Sequence, residues 1–453
     1  MTTEKDVFTV QGLRVTVVGA ARSGIAAAEL LAKRGAAVML SDAKPTLAEA
    51  DRDRLIRAGV VLELGGHVAA TFDRADLIVM SPGVPPTLPA LARARAAGVP
   101  VIGEVELAFR WLTGRVIAIT GTKGKSTTTS LTGRMLRDAG LAVTVGGNIG
   151  APVSAQVEQS TPDTLHVIEV SSFQLEQIDS FRPWVAVMLN FSPDHLDRHH
   201  TVEAYAAAKA RIFENQRPDD FAVMNADDDG AMQLASSAVA TRRLFSRRGM
   251  VADGTVVEDG WIVARDGERR DRLVPVSSIR LLGEHLIDDV MAAATVASIA
   301  GVSPAAMTTA VEGFGGLEHA MELVADFDGV RFVNDSKATN VEAAVRCDRE
   351  LSRRGRGHRR GEVQGGRFPS VAIADWRAWQ SSRRDRRGQG ARSTGARGRD
   401  CGARRRFDGR RRSNRVRARE TVRSGAAGTG VCELRHVPRL RGARTALQGR
   451  GQR

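Results

Sequence analysis

Apolar residues occur in this chain as short runs separated by glycine turns and by stretches with helical spacing. V-T-V-V at 15–18 has the pattern of a buried strand, and G-A-A-R-S-G at 19–24 is a glycine turn. Residues 25–34 carry a helical period, and V-M-L at 38–40 leads to Asp42. L-I-V-M at 77–80 runs into the turn S-P-G-V-P at 81–85, and V-I-A-I at 116–119 runs into T-G-T-K-G-K-S-T at 120–127, followed by a helix-like segment at 129–139. Alternation then ends in a polar turn at Glu169, and a strand over 184–189 ends in N-F-S-P-D-H-L-D-R-H at 190–199. Helices are expected over 202–215, with Lys209 in the middle, and over 281–300; a third unit starts near Leu317 with a strand at 330–333. Strand, turn and helix in repeated order predict an α/β protein. No internal repeat is evident.

A length of 453 residues suggests two to four domains at roughly 150 residues each. No run of 18 apolar residues occurs and the N-terminus lacks the basic and apolar regions of a signal peptide, so a cytoplasmic protein without a membrane anchor is expected. The net charge of +14 is unevenly placed. From Cys347 onward there are 31 arginines, no lysine and 9 acidic residues; the preceding 346 residues hold 35 basic and 43 acidic side chains. A mildly acidic body therefore precedes an arginine-saturated tail. All three cysteines, Cys347, Cys401 and Cys432, lie in that tail, which leaves the body without a disulfide or thiolate metal site.

The stretch at 120–127 carries the chemistry. A glycine turn between a strand and a helix points N–H groups and a helix N-terminus at an anion. Gly121, Thr122, Lys123, Gly124, Lys125, Ser126 and Thr127 are the expected phosphate-binding residues, with Lys125 reaching the β/γ-phosphates of ATP and Ser126 or Thr127 holding Mg²⁺. Position 119, where the usual phosphate loop has glycine, is Ile119. The turn at 19–24 lacks the middle glycine of a dinucleotide fingerprint, so an ordinary α/β unit without a ligand is the alternative there, as a plain Pro/Gly turn is at 81–85. Taken singly, Glu169 is a solvated strand end, His195 a turn-capping histidine and Lys209 a surface lysine.

Together these motifs resemble the Mur ligases. The signs are T-G-T-K-G-K-S-T, E-V-S-S-F-Q-L-E at 169–176, D-H-L-D-R-H at 194–199, A-A-K-A-R-I-F-E-N at 207–215 and N-D-S-K-A-T-N at 334–340. The second and last are particular to the D-glutamate-adding branch. The resemblance implies three domains: a Rossmann-like UDP-substrate domain over 1–111, a central ATP-binding domain over 112–315 and the start of a C-terminal D-glutamate domain over 316–346. It implies an ATP-dependent ligase of peptidoglycan precursor synthesis, acting as a monomer without membrane or specific nucleic-acid partners. UDP-N-acetylmuramoyl-L-alanine, D-glutamate and ATP would be its substrates and an acyl phosphate its intermediate. Lys125, Lys209, His195 and Glu169 would be catalytic; Ser126, Glu169, His195 and, if carbamylated, Lys209 would hold Mg²⁺. Arg22, Ser23, Asp42, Ser81, Asn148 and Ser171 would bind the UDP-substrate, and Asp335 and Lys337 would reach the nucleotide. Ala320 stands where the family usually has an ATP-contacting arginine, and Leu286 and Asp289 stand for asparagines near adenine. The alternatives are a folylpolyglutamate synthase-like ligase, a non-catalytic nucleotide- or UDP-sugar-binding remnant, and a nucleic-acid binder acting through its tail.

The tail reads as a shifted frame. Codons permitted for 355–368, read one base later, allow VVVIGGARFKGGDF; those for 431–448 allow CASFDMFRDYAERGRRFK. Both strings resemble C-terminal motifs of the same family, in the same shift and the right order. The expectation is a disordered, out-of-frame tail over 347–453 and a chain that, as written, is inactive or folds poorly.

Overall fold

Valine and isoleucine runs form strands here because parallel strands are covered on both faces and tolerate no polar side. The computed structural model describes residues 8–249, 251–280 and 285–317, with the strands Glu322–Phe327, Val330–Asn334, Gly361–Val363 and Gly366–Phe368. The chain divides into two compact units, Met1–Gly315 and Gly316–Arg453.

The first unit holds two sheets. Five parallel strands lie in the order Val61–Leu64, Ala37–Asp42, Arg14–Val18, Leu77–Met80, Val101–Gly103. Helix Arg22–Lys33 covers this sheet with Ile25, Ala27, Ala28 and Leu31, which pack on Val15, Val17, Val38 and Leu40. Each valine or leucine so buried contributes about 1.5–3 kcal/mol. The helix lies close because of Gly24: a Cβ there would stand 1.8 Å from the Gly19 carbonyl oxygen. Strand order switches direction at Arg14–Val18, which opens a crevice beyond the strands' C-terminal ends.

The second sheet has nine strands, in the order Arg269–Pro275, Trp261–Asp266, Asp253–Glu258, Thr241–Ser246, Phe221–Asn225, Val185–Met188, Arg115–Thr120, Leu165–Glu169, Val143–Gly147. Trp261–Asp266 pairs antiparallel with both its neighbours, and every other pair is parallel. Helix Lys125–Asp138 follows strand Arg115–Thr120 directly, four residues earlier than its apolar pattern suggests, because Thr128, Thr129 and Thr132 are themselves buried. The helix expected over 202–215 is Val202–Ala210 followed by a 3₁₀ turn at Arg211–Phe213, which puts Lys209 near its end.

The short helix Glu104–Phe109 joins the two sheets. Leu107 enters the first core, while Val105 and Ala108 enter the second. Glu106 is fully buried and accepts the N–H groups of Asp179, Ser180 and Phe181, the Ser180 hydroxyl and Arg110. Burial alone would raise its carboxyl, but these donors hold it below the usual range. Glu104, two residues earlier, accepts only the Ser154 N–H at 2.6 Å through one oxygen, and the other oxygen has no partner among the described residues. Burial pushes this carboxyl up to about 6.

In the second unit, Val330–Asn334 pairs antiparallel with Glu322–Phe327, a partner the sequence pattern did not indicate. Within the tail, Gly361–Val363 pairs antiparallel with Gly366–Phe368. Ala320, Asp335, Lys337 and the remainder of the tail lie outside the described residues. Among the described residues no helix is long and apolar enough to cross a membrane.

Candidate active site

Strand Arg115–Thr120 ends at the switch point of the second sheet, and residues 121–124 join it to the N-terminus of helix Lys125–Asp138, an end that favours an anion. Gly124 caps the helix in a left-handed conformation (φ 83°), which glycine adopts without strain. Any Cβ on it would fall 2.1 Å from Asp289 Oδ1, so Asp289, only 4% exposed, packs directly on the loop. Asn190 braces the same loop: its side-chain oxygen accepts from Thr122 N and Lys123 N (3.1 and 2.9 Å), and its Nδ2 donates to the Lys123 carbonyl. Thr122 Oγ1 donates to the Ser192 carbonyl at 3.0 Å.

Two lysine side chains converge on one carbonyl. Lys125 Nζ donates to the oxygens of Gly121 and Thr122 (both 3.0 Å), and Lys209 Nζ donates to Gly121 O at 2.7 Å. Lys209 is 1% exposed and its amine lies 4.9 Å from the Tyr205 ring centroid. Burial first, then the neighbouring Lys125 charge, drives the Lys209 amine well below its ordinary range; Lys125 is lowered by burial too.

A second feature links this loop to the neighbouring strand ends of the same sheet. Ser126 Oγ donates to Glu169 Oε2 at 2.7 Å, and Asn148 Nδ2 donates to Glu169 Oε1 at 2.7 Å. Glu169 itself is 2% exposed. His195 caps the short helix Leu196–His199 with φ 52°, and its ring packs edge-on against Phe173 at 5.2 Å. His199 fastens that helix: Nδ1 lies 3.1 Å from Glu176, Nε2 lies 2.9 Å from Ser172 Oγ, and the ring stacks on Phe173. Among the described residues no three His, Cys, Asp or Glu side chains gather into a metal-binding group. A hydroxyl and a carboxylate in contact, Ser126 with Glu169, form a hard oxygen donor pair of the kind Mg²⁺ takes beside phosphate.

Asn148 also faces a cleft of about 470 Å³ between the two sheets. Arg22, Ser23, Asp42 and Ser81 line it from the first sheet, with Lys44 and His67; Gly147, Asn148, Gly150, Pro152 and Gln174 line it from the second. Several of the expected contacts hold the walls together. Arg22 donates to the Gly150 carbonyl at 3.0 Å, and Ser81 Oγ donates to the Gly19 carbonyl at 2.9 Å. The Asp42 carboxylate accepts the N–H groups of Ala20 and Lys44. Ser171 is the N-cap of helix Ser172–Leu175 in a capping box with Gln174, and it is Gln174 that reaches the cleft. Leu286 is buried. The sequence reading missed Asn190, Glu104, Glu106, His67 and His199. Of these, only Asn190 and His199 stood in a motif already singled out.

The chain matches two family models: the Mur ligase MurD-like N-terminal domain over residues 13–103 and the Mur ligase middle domain over residues 119–297. It is 49% identical over 337 residues to a UDP-N-acetylmuramoylalanine–D-glutamate ligase of Acidobacterium capsulatum, covering 74% of this chain and 73% of that one. A ligase of the same name from Koribacter versatilis is 46% identical over 345 residues, 76% of each chain. A solved structure, the UDP-N-acetylmuramate:L-alanyl-gamma-D-glutamyl-meso-diaminopimelate ligase from Neisseria meningitides, aligns at 18% identity and TM-score 0.49 over 68% of this chain and 99% of its own. Near-50% identity over three quarters of both chains, with matches to both of these domain models, settles the relationship: the chain belongs to the Mur ligases, in the MurD-like, D-glutamate ligase branch.

Proposed function

We propose that this protein joins D-glutamate to UDP-N-acetylmuramoyl-L-alanine at the expense of ATP, in the cytoplasm, as a step of peptidoglycan precursor synthesis. The observation that carries this reading is the chain Ser126–Glu169–Asn148. One buried carboxylate touches both the phosphate loop and the cleft between the sheets, which is where a substrate carboxylate would meet a γ-phosphate.

Each residue then has a task. The helix N-terminus would cradle the phosphates of ATP, with Lys125 as the cation over the transferred group. Ser126, Glu169 and His195 would hold Mg²⁺, which when bound offsets the charge of the two anions that must touch. Burial lowers the Lys209 amine, which favours the neutral form that adds CO₂: an N–C bond forms, a proton leaves, and a buried carbamate results. Arg22, Ser23, Asp42 and Ser81 shape the UDP end, and Asn148 orients the muramoyl end towards Glu169. The alanyl carboxylate oxygen attacks the γ-phosphorus and ADP leaves. The amine of D-glutamate then attacks the acyl carbon, and phosphate leaves with the acyl C–O bond.

The D-glutamate contacts would come from motifs that residues 347–453 supply only when read one base later, while Asp335 and Lys337 would reach the nucleotide. About a quarter of each matched chain falls outside the matched region, which supports that reading. The chain as written is therefore expected to bind both nucleotides and to turn over poorly. Calorimetric titration with UDP-N-acetylmuramoyl-L-alanine, and separately with ATP and Mg²⁺, tests the site. Lys125→Ala should remove ATP binding and spare the UDP-substrate, and Asn148→Ala should do the reverse. Folded protein that binds neither ligand would refute the proposal.

A further inference from the structure

His67 follows the turn Gly65-Gly66 at the C-terminal end of strand Val61–Leu64 and lines the cleft beside Asp42 and Lys44. Its Nδ1 lies 2.8 Å from Ser41 Oγ, and its ring stands edge-on to Phe72 at 5.8 Å and 89°. Ser41 is fully buried and has one hydroxyl proton to give. Three acceptors are within reach of it: Glu63 Oε1 at 2.7 Å, the Gly66 carbonyl at 3.5 Å and, in the tautomer protonated at Nε2, His67 Nδ1 at 2.8 Å.

Glu63 wins on distance and on charge. It also accepts the Val68 N–H at 3.0 Å and the Thr71 hydroxyl at 2.5 Å. Burial alone would raise its carboxyl, but the hydrogen bonds from Ser41, Thr71 and Val68 hold it below the usual range, so it is an acceptor only. With its proton committed to Glu63, Ser41 can only accept from Nδ1–H of His67. The neutral imidazole is thereby fixed with its proton on Nδ1 and a lone pair on Nε2. Among the described residues Nε2 has no protein partner. Elsewhere on this wall the Asp42 carboxylate accepts two backbone N–H groups and the Ser81 proton goes to the Gly19 carbonyl.

We propose that His67 Nε2 is a specificity-determining acceptor that takes a hydrogen bond from the uridine of the substrate, either the imide N3–H or the ribose 2′-hydroxyl. The inference rests on the reading of this cleft as the UDP site. An orienting chain of three side chains makes the acceptor rigid. A fixed acceptor discriminates against a base that offers a lone pair in place of N–H, because both groups would then be left unsatisfied.

Affinities for UDP, 3-methyluridine diphosphate and 2′-deoxyuridine diphosphate, measured at pH 8 on the wild type, His67→Phe and His67→Gln, test this. The phenylalanine variant should lose about tenfold for UDP, and the glutamine variant, whose Oε1 can accept, should recover part of that. If N3–H is the donor, the methyl analogue should bind the wild type about tenfold more weakly than UDP and show no such penalty in His67→Phe. If the ribose 2′-hydroxyl is the donor, the deoxy analogue should behave that way instead. Equal UDP affinity in wild type and His67→Phe, or the same loss for all three ligands, would overturn the proposal. A folded wild type that binds no UDP at all would instead overturn the reading of the cleft, and this inference with it.

Discussion

Replacing Glu104 by glutamine isolates one buried ionisation. The carboxyl is 1% exposed, accepts a single backbone N–H from Ser154, and is pushed by burial from 4.5 up to about 6. That shift corresponds to about 2 kcal/mol between the two protonation states. Because the folded value lies above the unfolded one, the native state holds more protons than the unfolded state between pH 4.5 and 6. Glu104 therefore contributes its full stabilisation below pH 4.5, and the contribution is lost as pH rises through 6. Glutamine keeps a carbonyl oxygen for Ser154 N and cannot ionise. Urea unfolding of both proteins, followed by circular dichroism from pH 4 to pH 7, cancels the other titrating groups in the difference. The stability of Glu104→Gln relative to wild type should rise by about 2 kcal/mol over that range. A difference that does not vary with pH, or one that falls, would refute the reasoning.

Two further outcomes follow from the phosphate loop. Gly124→Ala places a Cβ 2.1 Å from Asp289 Oδ1 at φ 83°, a backbone strain of about 1–2 kcal/mol before Asp289 moves; ATP affinity should fall tenfold or more while UDP-substrate affinity holds, as calorimetry would show. Lys209→Arg keeps a positive charge and cannot form a carbamate. Wild type in ¹³C-bicarbonate at pH 8 should show a carbamate carbon resonance that the variant lacks.

Much of the fold was legible because parallel strands buried on both faces write themselves as apolar runs. Val15–Val18, Leu77–Met80 and Val116–Ile119 all lie within such strands. The antiparallel extension Trp261–Asp266 and Arg269–Pro275 was not legible, because charged residues interrupt its alternation. The start of the phosphate-loop helix was misplaced because buried threonines look polar in sequence. In the site, residues close in sequence to the loop could be named from the motif alone. Glu104, Glu106 and Asn190 could not, since each acts on backbone 50–75 residues away. His67 escaped notice because its meaning depends on Ser41 and Glu63, on two neighbouring strands.

Phosphate release with UDP-N-acetylmuramoyl-L-alanine, ATP and D-glutamate, in the chain as written and in a version read one base later after Arg346, tests the central claim most directly. The account predicts release from the shifted-frame protein only when all three substrates are present, and little from the chain as written. No D-glutamate-dependent release from the shifted-frame protein, or equal release from both, would contradict it.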